Sequence, residues 1–288
     1  GDSNLDAVQA GGNSWWHTAN AVATLSTNKI TPDVVQIDPS QSRHALIYAF
    51  LGGSESFLTS EDQNGFAALD GGQKTAVKSA FDYLSSLINV SFTLASDANS
   101  ADIVLGSNQQ AYSAAYASYP NATGSPTKLL LANNGDSASN NSALHLGQQG
   151  TYGWQTLIHE IGHALGLKHP FSAADSTGDS APPPYLSSSE DVTAWTVMSY
   201  TSSAAEYAFQ YSPLDIAALQ YLYGPSLTSR SGNDTYTVSN AVSNFVWDGA
   251  GTDVLDGSAL TQPATLYLTP GYWGYVGTVP AATITSPG

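Results

Sequence analysis

The stretch HEIGHALGLKH, residues 159–169, carries the strongest structural and chemical signal in the chain. On an α-helix, residues four apart are neighbours on one face, so His159 and His163 can direct a ring nitrogen at one metal ion. Gly166 can adopt a positive φ and reverse the chain, which brings His169 to a third position around the same ion. Three of the 6 histidines of the chain fall in this stretch. The pattern predicts a three-histidine metal site on a helix and the turn that follows it.

Glu160 lies beside the ligand face of this predicted helix. Three protein ligands leave the fourth position of a tetrahedral zinc site to water, and zinc lowers the pKa of that water to about 7. Glu160 is placed to accept the proton that the water loses. The chain contains no cysteine, so thiolate ligands are excluded. The motif therefore predicts zinc-dependent hydrolysis of a polarised carbonyl, with Glu160 as the general base.

The composition excludes several classes of partner. Lys and Arg number 7 against 23 Asp and Glu, and the net charge of -16 repels nucleic acids and anionic lipid surfaces. Apolar runs such as residues 45–51 fall far short of the roughly 18 residues that a membrane span requires. Residues 1–10 lack the basic and apolar regions of a signal peptide. We expect a soluble, monomeric protein that binds neither nucleic acid nor membrane.

Hydrophobic periodicity and turn residues indicate how the chain is organised. The predicted strands are residues 45–51, 90–94, 103–105, 112–119 and 128–132, and the predicted helices are residues 70–88, about 154–166 and 212–224. Strands gathered around a helix imply a sheet with a helix on one face. After about residue 227 the helix signals vanish, and short apolar runs alternate with Gly, Asn and Asp turns. We expect a first domain at residues 1–228 and a small all-β unit at residues 229–288.

The segment at residues 159–169 resembles the zinc-binding helix of metzincin metalloproteases. The single methionine of the chain lies in the run TVMSY, residues 196–200, which is similar to the Met-turn of that family. Pro170 and the runs at residues 212–224 and 247–253 extend the resemblance to the serralysins, over nearly the whole chain. The resemblance implies an α+β fold, with a twisted, mostly parallel sheet and long helices in the catalytic domain and a small all-β unit after it.

The same resemblance implies roles for residues outside the histidine motif. Tyr200 is similar to the serralysin tyrosine that approaches the zinc as an additional ligand and swings away to stabilise the transition-state oxyanion. Met198 is expected to support the metal site by packing. In this family an extended substrate pairs with an edge strand through backbone hydrogen bonds. The residues that resemble this strand are Ala115, Tyr116, Ala117, Ser118 and Tyr119.

A second candidate metal site lies near the C-terminus. Asp248 and Asp253 flank a Gly-containing turn whose carbonyls can point inward, which suits the six to eight oxygen ligands of calcium. Residues 249–256 resemble one copy of the calcium-binding nonapeptide of serralysin β-rolls, and the opposing turn at residues 230–235 resembles its partner. The calcium ligands implied in this way are Arg230, Gly232, Thr235, Asp248, Ala250, Gly251 and Asp253. Two ordinary Asp-Gly turns are the alternative.

Two functions remain open at this point. The first is a secreted, extracellular zinc-dependent endopeptidase that acts on protein or peptide substrates and carries structural calcium. The second is a non-catalytic binding or adhesion module on a metzincin scaffold, with structural zinc. Structural zinc sites are normally closed by four protein ligands, whereas three histidines with a retained Glu160 leave an open position and a base. The residues therefore favour the enzyme.

Overall fold

The structure is a computed structural model, and it describes residues 44–120, 125–134, 146, 150–171, 185–202, 207–208, 210–238, 246–266 and 275–277. The chain divides into two compact units, the first ending at Pro225 and the second beginning at Ser226. Each unit is described by itself. The domain assignment made from the sequence, residues 1–228 and 229–288, stays a prediction.

The first unit is built on a five-stranded sheet. Its strands are β1 (His44–Phe50), β2 (Val90–Ala95), β3 (Ile103–Asn108), β4 (Ala115–Ala117) and β5 (Thr127–Ala132). The strand order is β2-β1-β3-β5-β4, and every pairing is parallel except that of the edge strand β4 with β5. The expectation of a mixed fold with a mostly parallel sheet is confirmed.

Both faces of the sheet are covered, as parallel strands require. The helices are α1 (Gly71–Leu87), α2 (Tyr152–Ala164) and α3 (Pro213–Tyr223). The helix α1 packs against β2, and α2 packs against β4 and β5. On the α1 side, the ring centroid of Phe81 lies 4.6 Å from that of Tyr48 and 4.5 Å from that of Phe92. The opposite face buries an apolar cluster that includes Ala49, Val104 and Leu130.

Local sequence explains where the helices begin. Asp70 caps α1, because its Oδ1 accepts the N–H of Gln73 while the Gln73 side chain accepts the N–H of Asp70. Pro213 occupies the first turn of α3, where its missing N–H costs nothing. The predicted helices at residues 70–88 and 212–224 therefore agree with α1 and α3 to within one residue at each end.

The prediction of a strand at residues 112–119 is wrong in extent, because β4 covers Ala115–Ala117 alone. The backbone N–H of Gln110 donates to the Asn134 side chain, and the bonds to β5 begin at the Ala114 carbonyl, which accepts the N–H of Ala132. Tyr112 is 93% exposed, so this aromatic residue is not part of a buried strand. Beyond Ser118, the sequence soon meets Pro120, which has no N–H to donate.

The described part of the second unit contains four short strands. The strand β6 (Thr235–Thr237) pairs in parallel with β7 (Val254–Asp256), and β8 (Ala264–Thr265) pairs antiparallel with β9 (Tyr275–Val276). The expected all-β character of residues 229–288 extends over segments outside the described residues. Across the described parts of both units, none of the helices has the length and apolar character needed to cross a bilayer.

Candidate metal centre

The helix α2 and the turn after it present the histidine motif. Thr151 caps the helix through its side-chain oxygen, and the predicted start near residue 154 falls within the first turn of the observed Tyr152–Ala164. Gly166 then adopts a φ of 102°, and the N–H of Leu167 donates back to the carbonyl of Gly162 at 2.9 Å. This reversal, which favours glycine, returns the chain toward the helix face that carries the first two histidines.

The three predicted ligands, His159, His163 and His169, meet as the spacing suggests; we call them the histidine site. The Nε2 atom of His169 lies 3.2 Å from Nε2 of His159 and 3.1 Å from Nε2 of His163. Zn–N bonds of about 2.0–2.1 Å in a tetrahedron separate ligand nitrogens by about 3.3 Å, so the observed spacing fits zinc. These residues form one of the two groups of possible metal ligands in the described part of the chain.

Backbone carbonyls determine which nitrogen of each helical histidine faces the site. Nδ1 of His159 lies 2.8 Å from the carbonyl oxygen of Val197, and Nδ1 of His163 lies 2.8 Å from that of Leu167. A carbonyl can only accept, so Nδ1 is the protonated nitrogen in both rings, and Nε2 keeps its lone pair. Burial lowers the pKa of His159 to about 4 and holds the pKa of His163 well below its ordinary value. Both rings are therefore neutral at pH 7, as metal ligation requires.

Glu160 is buried, 6% exposed, beside the histidine site. Its Oε2 atom has no hydrogen-bond partner among the described residues, and its carboxylate accepts the backbone N–H of Ala117 in the edge strand β4. Burial raises the pKa of Glu160 to about 8, against the opposing effect of the Ala117 hydrogen bond. The positive charge of a bound zinc ion would lower this pKa and favour the ionised carboxylate that a general base requires. A buried carboxylate oxygen without a donor is costly, and a water molecule between it and the histidine nitrogens would relieve that cost.

Tyr200 stands at the exposed side of the histidine site. Its ring centroid lies 4.8 Å from that of His169 and 5.9 Å from that of His159, and the residue is 67% exposed. Phe171, which the sequence analysis did not single out, stacks on His169 at 5.0 Å and lies 4.9 Å from the Tyr200 ring. The ligand His169 is thus flanked by two aromatic side chains.

Met198 packs against α2, the helix that carries His159 and His163. It is fully buried, and a Cβ atom placed on Gly162 would lie 2.8 Å from its sulfur. The absence of a side chain at Gly162 therefore allows the turn at residues 196–200 to approach α2 closely. This contact matches the packing role that the family resemblance implies for Met198.

Asp215 holds the same turn from the other side. Its carboxylate accepts the Thr196 hydroxyl at 2.6 Å, the Val197 N–H at 2.8 Å and the Ser212 N–H at 2.9 Å. Its contact with Ser212 also caps the N-terminus of α3. Its contacts with the turn were not predicted, and they matter because the Val197 carbonyl orients His159.

The edge strand β4 presents alternate backbone groups to the two sides. Ser118 donates its N–H to the carbonyl of Lys128, and the carbonyl of Ala114 accepts the N–H of Ala132. With Tyr116 opposite Leu130 in the register, the even-numbered residues of β4 bond to β5. The N–H and C=O groups of Ala115 and Ala117 consequently face away from β5.

Tyr119 extends this side of the site, since its ring meets His163 edge to face at 5.4 Å. The predicted substrate-strand residues therefore lie next to the histidine site, with Ala117 bonded to the catalytic candidate Glu160. Ala117 can bond to Glu160 because β4 is an edge strand, which pairs with β5 on one side and leaves the backbone groups of its other side available.

In the second unit, two turns face each other at the predicted calcium ligands. Carboxylate oxygens of Asp234, Asp248 and Asp253, which we call the acidic cluster, lie within 4.8 Å of one another. The N–H of Asp234 donates to Asp253 Oδ1 at 2.9 Å, and the N–H of Ala250 donates to Asp248 Oδ1 at 2.9 Å. Asp234 was not among the predicted ligands, although its place in the turn at residues 230–235 was a signal for it.

Two of the predicted ligands explain how closely these turns approach. Gly251 has a φ of 129°, and a Cβ atom there would lie 1.8 Å from the carbonyl oxygen of Gly232. Arg230 has a φ of 48°, and its guanidinium carbon lies 5.2 Å from the centre of the Tyr236 ring. The predicted ligand Thr235 is the first residue of β6, which pairs with β7 at Val254.

Comparison with known proteins agrees with this geometry. Residues 62–211 match the family model Reprolysin_5, described as metallo-peptidase family M12. Serralysin of Photorhabdus sp. (strain Az29) is 33% identical over 256 residues, which are 77% of this chain and 51% of the relative. Metallopeptidase AprA of Pseudomonas marginalis is 32% identical over 265 residues, 81% of this chain and 54% of the relative. Serralysin of Proteus mirabilis is 40% identical over 151 residues, 44% of this chain and 30% of the relative.

Three histidines on a helix and its reversing turn, with a glutamate beside them, define the metallopeptidase class of zinc site. The chain belongs to metallopeptidase family M12 and is a serralysin-like metzincin. It spans about half the length of the full-length serralysin and AprA relatives that it matches over most of its own residues.

Proposed function

We propose that this protein is a zinc-dependent endopeptidase in which Glu160 activates the attacking water. The observation that carries the proposal is the convergence of three Nε2 atoms next to a buried carboxylate whose Oε2 has no partner in the described part of the chain. A purely structural zinc site has no use for a neighbouring buried carboxylate with one oxygen that has no donor. The family membership supports the same chemistry.

Each residue around the site then has a task. Zinc, when bound, polarises the scissile carbonyl and lowers the pKa of a water molecule to about 7. Glu160 accepts the proton of the attacking water and returns it to the leaving amine, while the Ala117 N–H holds the carboxylate in place. The Tyr200 hydroxyl, at the exposed side of the site, donates to the oxyanion that develops on the former carbonyl oxygen.

The edge strand β4 supplies the binding surface for an extended peptide in this proposal. The outward-facing N–H and C=O groups of Ala115 and the C=O group of Ala117 can bond a substrate strand, while the Ala117 N–H bonds Glu160 and side-chain pockets provide preference. Ser118 and Tyr116 bond to β5 and keep the strand in register. Protein and peptide substrates follow from this arrangement, because each added residue of an extended chain adds backbone hydrogen bonds.

Glu160→Gln is the decisive variant, with Glu190→Gln as a matched control at a surface turn. We expect Glu160→Gln to fold and to retain about one zinc per chain, but to lose 10²–10⁴-fold in kcat, the usual contribution of a general base. Casein degradation and metal analysis on the same preparation check this. Near-normal turnover by Glu160→Gln would remove Glu160 from the role of base, and the loss of both zinc and activity in Glu190→Gln would invalidate the comparison.

The second unit is proposed to bind calcium at the acidic cluster. Three carboxylates within 4.8 Å repel one another, and a hard cation offsets their charge. Backbone oxygens of Arg230, Gly232, Thr235, Ala250 and Gly251 complete the ligand set that the family resemblance implies. Calcium added to calcium-stripped protein should raise the melting temperature, with magnesium as the comparison ion; an unchanged melting curve would contradict the proposal.

We also propose that the protein acts outside the cell. The resemblance to serralysins supports export, and an exposed calcium site of the kind described above is suited to extracellular, millimolar calcium. Immunoblotting of cell-free medium and of washed cells of the native source, with a cytosolic enzyme as a lysis marker, tests this. Retention of the protein in the cell fraction would contradict it.

A further inference from the structure

Behind β4, on the side away from the histidine site, the structure holds a buried charged group that the proposed mechanism does not use. Asp62 is 2% exposed, and its Oδ2 lies 2.5 Å from Nζ of Lys128 on β5. Its Oδ1 accepts the Tyr116 hydroxyl at 2.7 Å, and its Oδ2 also accepts the N–H of Thr59 at 2.7 Å. One of just 7 basic residues in the chain is thus used for a nearly buried ion pair.

The hydroxyl of Tyr116 is enclosed by this group from two sides. It donates to Asp62 and accepts from Nδ2 of Asn108 at 3.2 Å. The same Asn108 amide nitrogen donates to the carbonyl of Glu61 at 3.0 Å, and Gln110 donates to the Asn108 oxygen at 2.8 Å. Burial opposes ionisation of Asp62, but the bonds from Lys128, Thr59 and Tyr116 outweigh it and lower the pKa of its carboxyl.

This arrangement joins three separate segments at one carboxylate. Thr59 and Asp62 belong to the segment between β1 and α1, whereas Tyr116 lies on β4 and Lys128 on β5. Tyr116 is opposite Leu130 in the antiparallel register, so its side chain shares a face of the sheet with Lys128, two residues along. Asp62 therefore contacts both strands of the edge pair from a segment outside it.

The edge strand has reason to need such support. A strand of 3 residues has few ladder bonds and an open side, so it frays easily unless its side chains hold it. Ala117, the residue after Tyr116, donates its N–H to Glu160 across the site. Displacement of Tyr116 would move that N–H and the neighbouring outward-facing groups together.

We propose that Asp62, paired with Lys128, is a positioning residue that holds Tyr116 and thereby places the backbone of β4 for substrate pairing. The proposal rests on the proposed function, in which β4 binds an extended substrate. It predicts that loosening the Tyr116 hydroxyl affects the binding of long peptides more than the chemical step, because the chemical groups are on α2 and on the Met-turn.

Tyr116→Phe is the main test, since it removes one hydroxyl and leaves the ion pair intact. Asp62→Asn is the second variant, and because it leaves the partly buried Lys128 without its charged partner it can fail to fold. Tyr48→Phe is the control, because it also removes one tyrosine hydroxyl from a strand of the sheet, but Tyr48 lies on β1 with its ring against α1. All variants are made in the full chain.

Amide hydrogen exchange gives a readout that does not depend on activity. We expect the amides of residues 116–118, which bond to β5 or to Glu160, to exchange about ten-fold faster or more in Tyr116→Phe, with the amides of α2 unchanged. Tyr48→Phe should leave exchange at residues 116–118 at the wild-type rate. Unchanged exchange at β4 in Tyr116→Phe would overturn the inference.

Kinetics with peptides of increasing length around one scissile bond give the functional readout. For Tyr116→Phe we expect KM to rise roughly ten-fold on the longest peptide and less than about two-fold on the shortest; any fall in kcat, transmitted through the Ala117 N–H that holds Glu160, should be smaller and the same on every length. An equal loss on every length would overturn the positioning role. If wild-type cleavage does not depend on length, then the proposed substrate role of β4 fails, and the exchange result alone decides whether Asp62 holds the strand.

Discussion

The histidine site of the first unit and the acidic cluster of the second each bring three ligand atoms within 4.8 Å of one another, but they do so in different ways. The three histidines are buried, and carbonyls of Val197 and Leu167 orient the neutral rings of His159 and His163. The aspartates carry like charges on exposed turns, and backbone N–H groups of the same turns bond their oxygens.

The difference concerns what the ion must do. At the histidine site, packing and backbone hydrogen bonds already hold His159 and His163 in orientation without a metal ion. A bound ion there supplies the catalytic chemistry rather than the arrangement of these side chains. At the acidic cluster the repulsion among three carboxylates persists until a cation offsets it. We therefore expect the first site to be tight and insensitive to its surroundings, and the second to be weaker and responsive to salt. The predictions below test this contrast, from the largest expected effect to the smallest.

His163→Ala removes a ligand that α2 holds in place, and no other group in the described part of the site replaces it. We expect loss of stoichiometric zinc and at least about a 10³-fold lower kcat/KM, because the water and the carbonyl both lose their activation. Metal analysis and peptide hydrolysis check this. Full zinc content together with full activity would show that the histidine site is not the metal centre.

Asp215→Asn tests whether orientation from outside the ligand set matters. An amide keeps one oxygen but cannot accept from the Thr196 hydroxyl and the Val197 N–H as a carboxylate does. We expect zinc affinity to fall about 10–100-fold, the usual effect of losing support behind a metal ligand. Competition with a zinc chelator measures the affinity.

Asp82→Asn is the control for that experiment, because Asp82 forms an exposed ion pair with Lys78 on α1. Its affinity for zinc should match that of the wild type. An equal fall in both variants would point to a general loss of stability rather than to the orientation of His159.

Asp253→Asn tests the acidic cluster, with Asp256→Asn as its control on the neighbouring strand β7. Binding that favours the folded state contributes about 2.7 kcal/mol at 100 times Kd, so a tenfold weaker Kd lowers this contribution to about 1.4 kcal/mol. The calcium-dependent rise in melting temperature should shrink in Asp253→Asn and persist in Asp256→Asn. An undiminished rise in Asp253→Asn would place calcium elsewhere.

Ionic strength should change the Kd of the two sites differently, and this is the smallest of the expected effects. Raising ionic strength from about 0.01 M to 0.1 M shortens the Debye length from about 30 Å to about 10 Å, which weakens attraction at exposed charges. We expect the calcium Kd to rise several-fold and the zinc Kd to stay nearly constant. Titrations of each ion at both ionic strengths measure this, and equal sensitivity of the two sites would refute the contrast between them.

Much of the first site could be predicted from the sequence because its geometry is local. The helical repeat places His159 and His163 on one face, and the positive φ of Gly166 reverses the chain toward them. The caps of α1 and α3 are local for the same reason, which explains why their bounds agree with the prediction. The extent of β4 was not predictable in this way. Tyr112 is an aromatic residue of the kind enriched in strands, but its side chain is exposed to solvent and lies before the strand begins.

By itself, then, the sequence determined the three histidines and their helical spacing, the neighbouring glutamate and the family to which the chain belongs. Tertiary structure alone decided that the Val197 carbonyl orients His159, that the Ala117 N–H meets Glu160 and that Asp62 pairs with Lys128 behind β4. The physical reason is that backbone carbonyls and amides are chemically alike at every position. Their roles depend on which surfaces the packing of sheet and helices brings together.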